Sequence, residues 1–129
     1  MRLSLILTAL VCIVSSAYAH GPGASDISIG GAIICDTSEQ AHRYVTLRNS
    51  GNKAVAALQV VNTEANKANA CGAAVVAFRR GETVGSERID GERVELVKIT
   101  VLAFSTGEGW STVPATEQYA LIPPPGIET

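Results

Sequence analysis

Two histidines, three cysteines and one tryptophan are the residues of this 129-residue chain whose types could carry chemistry. His20 follows a run that reads as a removable leader, so cleavage would leave its α-amine and imidazole together at a chain terminus. Cu(II) favours such nitrogen chelates, which makes His20, with His42 as the second imidazole, the candidate metal site. The usual marks of catalysis are missing. Ser25, Ser50, Ser86 and Ser105 lack the glycines of a G-x-S-x-G elbow. Gly21-Pro22-Gly23 and Gly107-Glu108-Gly109 have neither the third glycine nor the following helix of a phosphate loop. His42, close to Glu39 and Arg43, reads as a helix residue with no marked nucleophile beside it. No catalytic residue and no cofactor is expected, and the expected function is non-catalytic.

The cysteines take their meaning from the address. Met1-Arg2 is a short basic start, residues 3–14 are apolar apart from Ser4 and Thr8, and Ala17 and Ala19 occupy A-x-A cleavage positions. That is the pattern of a secretory signal peptide over residues 1–19, with an apolar run shorter than the roughly 20 residues a bilayer span needs. The expected localisation is secreted or periplasmic, with no membrane span after cleavage. Cys12 would leave with the leader, so Cys35 and Cys71 remain as an even pair in an oxidising compartment, where one disulfide is the simplest outcome. Their 36-residue separation is not C-x-x-C redox spacing, and a closed zinc site wants four ligands.

One domain is all the remaining 110 residues can build. Composition is 47% apolar and 17% charged with a net charge of −2, which excludes a wholly disordered chain and gives no electrostatic reason to expect nucleic acid. Residues 20–26 read as a glycine-rich mobile arm, and residues 27–35 as an extended apolar segment. Thr37 and Gln40 have capping-box spacing ahead of Ala41, Tyr44, Val45 and Leu47 at helical intervals. Asn49-Ser50-Gly51-Asn52 stops that helix, and an alanine-rich second helix follows from Lys53 to about Ala65, with Val55, Leu58 and Val61-Asn62 along its stripe. The pair makes an αα-hairpin. The alternative for residues 42–62 is a pair of strands, which would give an all-β sandwich, but alanine is poor in strands.

The second half reads as a small, mostly antiparallel sheet of about 4–5 strands. Residues 73–79 form one strand, 84–89 and 93–104 pair across Asp90-Gly91, and 110–113 and 118–122 follow the Gly107-Glu108-Gly109 turn. Val97, Ile99, Val101 and Ala103 share one face while Val94 and Leu96 take the other, which demands a bulge or a strand buried on both sides. Residues 123–129 read as a proline-rich tail that ends the sheet. The expected fold is α+β, with one disulfide tying the strand before the helical hairpin to the entry of the sheet.

Within that half, Gly91-Glu92-Arg93-Val94 followed by Gly109-Trp110-Ser111-Thr112-Val113 resembles bacterial SH3-like modules over about 30 residues. The resemblance implies that Trp110 would meet a peptide or cell-wall ligand; the helical half departs from it. The expected function is that of a small exported binding module of the cell envelope, with an unknown protein or envelope ligand as partner and Trp110 on the ligand surface. Two alternatives stand beside it: a copper protein using His20, and an exported inhibitor of a hydrolase acting through a protruding loop at 81–85 or 105–109.

Overall fold

The computed structural model describes residues 26–124. The expected signal peptide over residues 1–19, residues 20–25 of the expected arm with His20, and residues 125–129 of the expected tail lie outside the described part. The order of elements is β1 (Ile27–Cys35), α1 (Ser38–Asn49), α2 (Ala54–Glu64), β2 (Cys71–Ile89), β3 (Glu92–Ser105) and β4 (Trp110–Ile122). This is the α+β arrangement the patterning predicts: an αα-hairpin between the first strand and an antiparallel sheet. The sandwich alternative falls, because residues 42–62 are helical on both sides of the Asn49–Asn52 turn.

Local chemistry starts and stops each helix. Thr37 is the N-cap of α1; its hydroxyl accepts from the Gln40 N–H and the Gln40 side chain accepts from the Thr37 N–H, the reciprocal pair that satisfies two orphan donors. Gly51, with φ near +99°, turns the chain toward α2 in a conformation L side chains rarely adopt. The buried face of α2 is Ala57 and Val61, with Ala54 and Leu58 beside them. Val55 is exposed, contrary to the expected stripe. Small alanines set the phase: Ala54 and Ala57 let α2 approach its neighbours closely, and Val55 is then rotated about a third of a turn outward.

The four strands form a closed, wholly antiparallel barrel in the order β1-β2-β3-β4. Two expected breaks are bends instead. Residues 73–79 and 84–89 belong to one long strand, β2, which kinks where Gly81 meets the Lys98 carbonyl; a Cβ built there would lie 2.8 Å from that oxygen. Residues 110–113 and 118–122 likewise join into β4. The register shift opposite Val101 and Ala103 takes up the residues around Pro114, which therefore removes no ladder bond. Asp90 and Gly91, both at positive φ, make the tight β2–β3 turn that Asp-Gly signals.

Both faces of the sheet are buried at one end. Ile34, Val76, Phe78, Val97, Ile99, Val101, Ala120 and Ile122 fill the barrel interior. Cys35, Cys71, Leu96 and Leu121 point the other way and pack under Ala41, Tyr44, Val45, Leu47, Ala57 and Val61 of the helices. The two phases of β3 therefore reflect a strand covered on both sides. Cys35 and Cys71 are cross-strand partners on β1 and β2 and form the disulfide, with the helical hairpin inside the loop it closes. Asn62 of α2 adds a second clasp at that point, accepting from the Cys71 N–H at 2.7 Å and donating to the Cys71 carbonyl at 3.0 Å.

Candidate functional site

The helices cover only part of the outer barrel face. Residues directly opposite one another in a sheet share a face, so the register gives the rows that lie beyond the helices. One row is Ile29–Ala77–Ala103–Thr112. The next joins Gly31 to Val75 and Ser105 to Trp110, and Val75 and Ser105 line one groove. Ile27 lies a row further on, opposite Arg79. On this uncovered half Ile27 is 57%, Ile29 66%, Val75 46% and Trp110 49% exposed. Several large apolar side chains left exposed on one sheet face point to a contact site. Trp110, the residue singled out for ligand contact, opens β4 at the rim of this patch.

Beside the patch the barrel mouth is open. A groove of about 550 Å³ runs between β2 and β4 over Gly72, Ala74, Val101, Phe104, Val113 and Thr116. Its polar margin is Asp36, which accepts a hydrogen bond from Gln118 at 3.0 Å and pairs with Lys67. At the opposite end Arg80 and Glu95, on the inward phase, form an ion pair at 2.7 Å that is mostly shielded from solvent.

His42 has a partner the sequence did not mark: its Nδ1 lies 2.9 Å from Glu87 Oε1, on β2. This contact is one of three that run from α1 to the tip of the β2–β3 hairpin. The Asn49 amide donates to the Arg88 carbonyl at 2.7 Å, and Arg48 pairs with Asp90 at 2.9 Å. Ser38 and Val84 line the shallow groove beside His42, yet among the described residues no hydrogen bond joins Ser38 to the imidazole. His42 is 67% exposed. The geometry is that of a strut holding a hairpin to a helix. Glu87 could have been suspected only from its charge, since 45 positions separate it from His42.

Among the described residues no three His, Cys, Asp or Glu side chains gather as a metal-binding group, and His20 lies outside them. No helix there is long and apolar enough to cross a membrane. Of the two loops considered for inhibition, residues 81–85 are inside β2 and do not protrude; residues 105–109 make the β3–β4 turn, closed by the Thr106 N–H and hydroxyl on the Gly109 carbonyl. Gly91-Glu92-Arg93-Val94 and Gly109-Trp110-Ser111-Thr112-Val113, the stretches similar to SH3-like modules, begin β3 and β4. Compared with known protein families, curated proteins and solved structures, the chain matches none.

Proposed function

We propose that this protein is an exported, non-catalytic binding module of the cell envelope whose contact surface is the uncovered half of the barrel. One observation carries the reading: Ile27, Ile29, Val75 and Trp110 are all exposed on the uncovered half of the sheet beside an open groove, although the helices bury the same sheet face a few residues further along. The leader pattern of residues 1–19 and the Cys35–Cys71 disulfide support export. Aromatic and aliphatic side chains on a rigid sheet lose little conformational entropy on contact, which suits them to recognition. The reading is tested by fractionating cells that export the full chain. Wild type is expected with the envelope fraction, and Trp110→Ala combined with Val75→Asp is expected in the soluble fraction. Equal partitioning of the two, with both folded, overturns it. Trp110 is the sole tryptophan, so its emission in the purified chain also reports occupancy directly.

A further inference from the structure

Among the described residues the barrel closes through three residue pairs, Ile33–Leu121, Ile34–Ala120 and Cys35–Tyr119. β4 ends at Ile122, and continuing the register would set Gly31 opposite Pro123, which has no N–H to give. β1 runs on to Ile27, so its outer half has β2 on one side and no described strand on the other. The Asp36 N–H bonds the Ala70 carbonyl at 2.8 Å, which identifies the even positions of β1 as those bonded to β2. The odd positions Ile27, Ile29 and Gly31 therefore aim their N–H and C=O groups at the open edge.

Open edges are normally blunted by charge, proline or bulges. The other edge left by the short closure, that of β4, carries Pro114, a register shift and Glu117. From Ile27 to Cys35 β1 carries none of these. We propose that this edge pairs with the same edge of a second copy, antiparallel about a two-fold axis through Ile29. In that register Ile29 faces Ile29 of the second copy, and Ile27 faces Gly31 of the second copy. Each odd-position N–H and C=O at Ile27, Ile29 and Gly31 then finds a partner, and Ile27 lies across from a residue with no side chain. A Cβ at Gly31 would meet nothing closer than Val75 at 3.8 Å, so the space is open. The segment is uncharged, so two copies of a net-negative chain meet there without repulsion. Closed two-fold pairing of this kind uses one patch twice. It also leaves the Ile29, Val75 and Trp110 faces exposed and joins them into one surface twice as wide; the pairing rests on backbone and does not depend on what that surface binds.

Sedimentation of the full mature chain up to submillimolar concentration tests the pairing, because a short edge contact belongs to the weak class of interfaces. Wild type is expected to show a monomer–dimer equilibrium. Gly31→Lys, which places charge on the edge where a side chain fits, is expected to weaken it at least about tenfold with an unchanged melting temperature. Ile29→Cys is expected to oxidise to a covalent dimer, since facing positions in a bonded pair have Cα atoms about 5.5 Å apart, whereas Val55→Cys on α2 is not. A monomer at every concentration, or a dimer indifferent to Gly31→Lys, overturns the proposal. So does dimerisation that occurs only after residues 125–129 are removed, because the chain's own end would then occupy the edge.

Discussion

Asn62 shows how much one polar side chain can hold. Its amide satisfies both the N–H and the carbonyl of Cys71, half shielded from water beneath α2. Asn62→Ala leaves both groups without a protein partner and is expected to cost about 1–2 kcal/mol, read as a lower denaturation midpoint at unchanged slope. Tyr44 sets a pH limit instead. Burial pushes its phenol up from the ordinary value; Arg48 opposes the shift and Asp90 adds to it. A raised pKa in the folded state means that the stabilising contribution is present below the unfolded value, about 10, and is lost as pH rises through the folded one. Melting temperature is expected to fall as pH rises above about 10, and Tyr44→Phe is expected to make the fall shallower. Lys98, raised chiefly by its hydrogen bond to Glu117, acts in the same direction from a solvent-exposed pair. At this scale the sequence was partly legible. Thr37 and Gln40 announced their capping box because it is local. The His42–Glu87 strut and the Asn62 clasp were not visible, since each joins residues that only the fold brings together.

Elements were read well where their signals are local and poorly where tertiary packing decides. The Asp90-Gly91 turn and both helices follow from short-range chemistry, and β1 was read to its observed bounds. Strand continuity was not legible: glycine and proline are breakers in a sequence, yet Gly81 and the region of Pro114 lie inside β2 and β4. At Gly81 the reason is steric. Its missing Cβ allows the backbone to pass within contact of the Lys98 carbonyl while the strand bends. Gly81→Ala forces β2 away from β3 and is expected to destabilise by about 1–3 kcal/mol, measured by chemical denaturation. Gly72→Ala, where a Cβ meets nothing within 4 Å, is the matched control and is expected to change little. The exposed phase of Val55 has a similar lesson, because periodicity gave α2 an apolar stripe and only packing against α1 could say which side of it is used.

Over the whole molecule, two cores share one sheet, and the disulfide joins β1 to β2 at their meeting point. Closing a loop of 36 residues restricts the unfolded chain, and on the chain-entropy account contributes about 4 kcal/mol. The double variant Cys35→Ala, Cys71→Ala is expected to lose about that much and to unfold in a single transition; retention of wild-type stability would show that the bridge constrains little.

That placement has a structural corollary. Asp36 and Ala70 are bonded across the same ladder, so everything from Thr37 to Asn69 leaves and re-enters at neighbouring points. Topologically, the helical pair is an overgrown hairpin loop on a plain four-strand meander. A chain in which Asp36 and Ala70 are joined by a two-residue Asn-Gly turn keeps every strand register intact. It also uncovers Leu96, Leu121 and Tyr119, so such a miniature needs polar residues at those positions to remain in solution. The helical pair is thus a detachable lid on half of a sheet, and the same site could accept a different insert of similar footprint.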